Sequence, residues 1–168
     1  LSGGVKRLVS FAMAAVMPGR MVMLDEPTLG VDPVSRREFW SLLGDLRTEK
    51  GLTILVCTPY MDEAERCHRL AILDEGVKVA DGAPDELQQS TGMSVIEVLA
   101  DDPYHAQTAI STLPVVASVT QLGIRLRVLI PESVAGALDL VDGVLREHGI
   151  EADTRLSGAT LEDVFVAV

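Results

Sequence analysis

A chain of 168 residues with 48% hydrophobic side chains has the material for one or two packed domains and is not a disordered polymer. Its 14 basic and 25 acidic side chains leave a net charge of −11, which argues against an electrostatic hold on DNA, RNA or anionic lipid. Two cysteines, Cys57 and Cys67, build no disulfide framework and suit a reducing cytosolic compartment, and the apolar stretch at 11–17 is far short of the ~20 residues that cross a bilayer.

In chain order, residues 3–17 read as a helix entered through Ser2, whose hydroxyl can cap the first turn, and stopped by Pro18-Gly19. Residues 20–25 form a predicted strand. Its four consecutive apolar residues suit a parallel sheet covered on both faces. Asp32-Pro33 starts a helix with an N-cap followed by proline at its first position, and Lys50-Gly51 ends it. Another apolar strand follows at 52–57, then a short helix at 61–67 and a strand at 70–73. Asp74-Glu75-Gly76 turns the chain into a strand at 77–80, the composition of a tight hairpin, and 84–89 is one more helix. This alternation predicts an α/β layer over residues 1–90. After Ser90-Thr91-Gly92 the rhythm changes to strand (94–99), helix (104–112), strand (115–120), strand (124–129), helix (133–148) and strand (150–156), with a last helix from Thr160. That βαββαβ order predicts a smaller, ferredoxin-like α+β domain over 91–168.

Three features near the start carry the chemistry. The chain opens Leu1-Ser2-Gly3-Gly4, the apolar run at 21–24 empties into Asp25-Glu26-Pro27, and Leu29-Gly30-Val31-Asp32 follows. A carboxylate at the carboxyl end of a parallel strand sits where open α/β sheets bind ligands, and Mg²⁺ favours one or two carboxylates plus water and substrate phosphates. Ser2, Gly3 and Gly4 at a helix start present free N–H groups and a positive dipole end to an anion. By order and spacing these segments resemble the signature motif, Walker B strand and D-loop of ATP-binding-cassette (ABC) ATPases, so the first 90 residues are expected to be part of a P-loop NTPase layer. The resemblance implies that Asp25 holds Mg²⁺ through water, that Glu26 is the general base for the attacking water, and that Leu1, Ser2, Gly3 and Gly4 bind the γ-phosphate of ATP held by a second nucleotide-binding domain. Asp32 would cross the same dimer boundary.

Three departures temper that resemblance. No Gly-x-x-x-x-Gly-Lys-Ser/Thr loop occurs and residue 1 is not Met, so the expectation is the C-terminal portion of a longer protein, inactive by itself. The family also places a γ-phosphate-contacting His in a setting like Thr-His-x-Met-x-Glu-Ala. Here Thr58-Pro59-Tyr60-Met61-Asp62-Glu63-Ala64 has Pro59 at that position, with neither a donor side chain nor an N–H. Leu8 and Met13 stand where Arg is frequent in the helix after the signature. A degenerate cassette that clamps ATP for an active partner is therefore kept beside the hydrolysing one. An ABC ATPase of DNA repair is opposed by the acidic charge and the absence of long heptads.

The remaining polar residues read more plainly. His68, His105 and His148 are solvated or capping, Phe39 and Trp40 belong to a core, and Asp62, Glu63 and Glu65 form a solvated helix face. The run Ala159-Thr160-Leu161-Glu162-Asp163-Val164-Phe165 resembles the closing segment of drug-efflux-type export ATPases. Thr160 and Asp163 stand as a capping box, and Leu161, Val164 and Phe165 form an apolar stripe for docking. The resemblance as a whole implies an exporter's ATP-binding subunit, using ATP and Mg²⁺. It would be peripheral on the cytoplasmic face through permease subunits, with a second cassette as partner and no nucleic acid.

Overall fold

The computed structural model describes residues 19–167, so the predicted helix at 3–17, Leu1 to Gly4, Leu8 and Met13 lie outside the described residues. The chain divides after Glu63 into two compact units.

In the first unit, β1 (Met21–Asp25) pairs in parallel with β2 (Thr53–Cys57), in a register running from Met21 opposite Thr53 to Asp25 opposite Cys57. Between them runs α1 (Pro33–Lys50), begun and ended as its sequence dictates. Asp32 Oδ1 accepts from the Val34 and Ser35 N–H groups at 3.0 Å each, Pro33 opens the first turn, and Gly51 closes the last at φ 63°. Phe39 and Leu43, four residues apart and each 3% exposed, bury one face of α1 against Leu24 and Ile54. On the opposite face of the strand pair, Met21, Met23 and Leu55 are 55%, 71% and 52% exposed. The apolar run carries side chains for two covered faces, and among the described residues α1 covers one of them. A short helix, α2 (Met61–Ala64), follows β2, ending earlier than the 61–67 expected.

The second unit opens with an antiparallel hairpin of β3 (Leu70–Asp74) and β4 (Val77–Gly82). Its turn residues Glu75 and Gly76 both have positive φ, 46° and 80°, the backbone a tight hairpin requires. Next come α3 (Pro84–Gln89), β5 (Met93–Ala100), α4 (Pro103–Ile110), β6 (Ser118–Leu122), β7 (Arg125–Pro131), α5 (Ala137–Glu147), β8 (Ala152–Ser157) and α6 (Leu161–Ala167). The strands form a four-stranded sheet in the order β6-β7-β5-β8, with every neighbouring pair antiparallel. Ile96, Val98, Leu126, Val128 and Ile130 line one face and pack with Ala106 and Ile110 of α4 and Val141, Val144 and Leu145 of α5. Helix α5 starts four residues later than its apolar pattern suggests, because Gly136 is left-handed at φ 69° and sets the N-cap there. The compact division falls at residue 63, whereas the composition shift lies near 90. The hairpin and α3 are grouped with the four-stranded sheet, and among the described residues neither hairpin strand pairs with β1 or β2.

On the other face of that sheet, Arg127 holds α6 in place. Arg127 Nε and Nη2 donate to the two Asp163 carboxylate oxygens at 3.0 and 2.6 Å, and Nη2 also donates to the Gly158 carbonyl at 2.8 Å. Thr160 N–H and Oγ1 donate to Asp163 Oδ2 at 2.7 and 2.9 Å, while the Asp163 N–H donates back to Thr160 Oγ1 at 3.4 Å. The capping box therefore forms with Asp in the place of Glu. Of the predicted stripe, Leu161 and Val164 are buried and Phe165 is 44% exposed. Phe165→Ala is accordingly expected to change stability by less than about 1 kcal/mol in a urea titration, as a side chain outside the core.

Candidate functional site

Strand β1 delivers Asp25 and Glu26 to the carboxyl end of the parallel pair, beside Cys57. The Glu26 N–H continues the ladder by donating to the Cys57 carbonyl at 2.8 Å, yet Glu26 itself sits at φ 43°. Left-handed backbone at a non-glycine residue is strained and persists only where its surroundings fix it. The turn after it supplies part of that fixing: Leu29 N–H donates to Glu26 O at 3.2 Å and Val31 N–H to Thr28 O at 3.0 Å. Gly30, at φ 73°, lets the chain reverse and hand Asp32 to the start of α1. The Ser35 hydroxyl and backbone N–H, and the Val34 N–H, hold the Asp32 carboxyl below the usual carboxylate range, so it is ionised at neutral pH. Desolvation, then a hydrogen bond to Asp25 and the charges of Asp25 and Glu26, push the Cys57 thiol up. That residue is thus a neutral neighbour in an acidic corner.

The loop after β2 closes the same end. The Tyr60 N–H donates to Thr58 Oγ1 at 3.2 Å, bracketing an exposed Pro59 in a tight side-chain-to-backbone turn. Asp25, the last residue of β1, and Glu26, Asp32 and Pro59, on the loops that follow β1 and β2, thus all lie at the carboxyl ends of the two strands. Among the described residues no cluster of three or more His, Cys, Asp or Glu side chains could hold a metal alone. Asp25, at the strand end, fits the single-carboxylate share that Mg²⁺ takes when a nucleotide provides the other ligands.

One residue was misread from the sequence. Glu63 does not lie on a solvated helix face: it is 0% exposed, whereas Asp62 and Glu65 are exposed. Its Oε1 accepts a short hydrogen bond from Thr28 Oγ1 and its Oε2 accepts from Thr58 Oγ1 at 2.8 Å, with Arg36 Nε 3.7 Å away. The Arg36 guanidinium in turn lies 4.7 Å over the Tyr60 ring. The signal was present: residues 60, 63, 64 and 67 share one face at helical spacing, and two threonines stand at the ends of the two site strands.

The described part of the candidate site is thus an acid pair at the end of a parallel strand, a strained glutamate, and an Asp-capped helix leading away from it. Comparison with curated proteins shows the family. The chain is 37% identical over 168 residues to a Nod factor export ATP-binding protein I of Burkholderia orbicola (strain AU 1054), covering 99% of this chain and 52% of that protein. It is 48% identical over 105 residues to the protein of the same name from Burkholderia thailandensis, covering 61% of this chain and 34% of that one. It is 33% identical over 170 residues to the daunorubicin resistance ATP-binding protein DrrA3 of Streptomyces coeruleorubidus, covering 98% of this chain and 52% of that protein. No family model matches. The chain is homologous to the ATP-binding subunits of ABC exporters, and it spans about half the length of the relatives it matches from end to end.

Proposed function

We propose that the chain is a portion, from the signature motif onward, of an exporter's ATP-hydrolysing subunit, with ATP and Mg²⁺ bound at a dimer interface and hydrolysis driving permease subunits at the cytoplasmic face of the membrane. The observation that carries this reading is Glu26, held at φ 43° beside Asp25 at the carboxyl end of β1 by the Cys57 carbonyl. Asp25 takes the Mg²⁺, which supplies charge neutralisation on the phosphates when bound. Glu26 accepts a proton from the water aimed at the γ-phosphorus, and positioning does most of the rest. Leu1, Ser2, Gly3 and Gly4 serve the ATP of the opposite cassette, and the ionised Asp32 lies at the crossing point. With no Gly-x-x-x-x-Gly-Lys-Ser/Thr loop in its 168 residues, this portion alone does not turn over ATP. The antiparallel order β6-β7-β5-β8 supports the ferredoxin-like reading of the smaller domain, which we place at 91–168 after a cassette portion at 1–90.

Pro59 favours a second reading, in which the cassette clamps ATP without hydrolysing it. Turnover by the full-length protein with its permease decides between the two. A hydrolase that holds the γ-phosphate without a switch histidine should change by less than about threefold in Pro59→His. A clamp should instead gain on the order of 10²-fold, the worth of one well-aimed donor.

A further inference from the structure

Glu63 ties together the segments that carry the chemistry. Segment 26–28 is pinned twice, by the Glu26 N–H on the Cys57 carbonyl and by Thr28 on Glu63 Oε1; Thr28 is 1% exposed. Segment 58–60 is pinned by Thr58 on the other oxygen of the same carboxylate, and by the Glu63 N–H donating to Tyr60 O at 3.2 Å. Arg36 lies in the first turn of the helix that Asp32 caps, its N–H donating to Asp32 O at 2.9 Å, and it supplies the compensating charge. A buried carboxylate without such partners is strongly unfavourable, so the four groups hold one another in a single arrangement.

We propose that Glu63 is a positioning residue for hydrolysis: a buried carboxylate clamp that sets the Glu26 turn, the Thr58-Pro59-Tyr60 loop and the Asp32-capped helix relative to one another. This rests on the hydrolase reading above. With proline at position 59, the loop after β2 has no donor side chain at that position with which to sense the γ-phosphate. Its placement relative to Glu26 therefore passes through Thr58, Glu63 and Thr28. A small displacement of a group aimed at an attacking water is enough to slow the reaction by an order of magnitude or more.

The test uses the full-length protein with its permease and reads ATP turnover, ATP affinity, thermal midpoint and hydrogen exchange of the Tyr60 and Glu63 amides. Glu63→Gln keeps the shape but removes one acceptor and the charge. It should lower kcat about tenfold with KM within about twofold, because the lost interaction positions rather than binds. Thr58→Val should lower kcat about threefold and add little in the Glu63→Gln background, as expected of residues acting as one unit. Thr58→Ser, which keeps the hydroxyl, should restore the rate. Exchange at Tyr60 should quicken about tenfold in Glu63→Gln and Thr58→Val without a matching fall in the thermal midpoint. The clamp is overturned if kcat and Tyr60 exchange stay at wild-type values in Glu63→Gln, if Thr58→Ser is as slow as Thr58→Val, or if every loss of rate follows loss of folded protein. Should the wild-type protein turn over no ATP, the hydrolase reading fails and the role in hydrolysis with it. Unchanged exchange at Tyr60 would sink the clamp itself even if turnover were normal.

Discussion

Glu26→Gln in the full-length protein is expected to lower ATP turnover by about 10²–10⁴-fold, the usual worth of a positioned general base, while ATP binding survives. Glutamine keeps the size of the side chain and can still hydrogen-bond water, but it cannot accept the proton. The backbone geometry should survive as well, since the N–H that fixes φ 43° by bonding Cys57 is unchanged. Because hydrolysis reopens the closed dimer in the proposed cycle, the variant should accumulate as an ATP-bound dimer visible by sizing in the presence of ATP and Mg²⁺. Asp25→Asn should differ: losing the metal-holding carboxylate weakens Mg²⁺-dependent ATP binding, so no closed dimer collects. A Glu26→Gln protein that hydrolyses ATP at the wild-type rate would remove Glu26 from the chemistry and leave the clamp reading, in which the partner's site does the work.

Much of this site was legible in the sequence because its signals are local. The apolar run ending in Asp25-Glu26 reads directly as a strand delivering acids to a sheet end, and Asp32-Pro33 reads as a helix start because capping depends on adjacent residues. The β-α-β-β-α-β order over residues 93–157 was equally plain from alternation and turn residues. Partner choice across distance was not. Glu63 and Thr28 are 35 residues apart, and although helical spacing puts residue 63 on one face with 60, 64 and 67, nothing in Met61-Asp62-Glu63-Ala64 says which distant hydroxyl it bonds. Coverage of the strand pair is not local information either: 21–24 carries apolar side chains of both parities, and pattern alone does not say which element supplies each lid. The late start of α5 turned on one left-handed glycine inside an otherwise helical pattern.

The second large effect concerns stability. Asp163→Asn should lower the unfolding free energy of the unit that holds β5 to β8 by about 2 kcal/mol at pH 7, since it removes the two-oxygen carboxylate from the buried Arg127 guanidinium and leaves Glu97 Oε1, 3.9 Å away, as the remaining counter-charge. Burial by itself would raise the Asp163 pKa, but the hydrogen bonds from Arg127 and Thr160 and the Arg127 charge outweigh it and hold the carboxyl below the usual range. A group more acidic in the folded chain binds fewer protons there than in the unfolded chain. Its contribution is therefore complete above the unfolded value of about 4 and disappears as pH falls through the folded value beneath it. Urea titrations at pH 7 and pH 3 should accordingly show the wild type losing stability toward the Asn variant's level at the lower pH, with the variant nearly flat in this respect. Replacing both partners together, Arg127→Met with Asp163→Leu, should recover part of the loss, because the single change strips a buried guanidinium of its closest partner and the double change removes that charge as well. A single variant as stable as wild type at pH 7 would mean that α6 is held by Leu161 and Val164 alone, with the ion pair contributing orientation and no net stability.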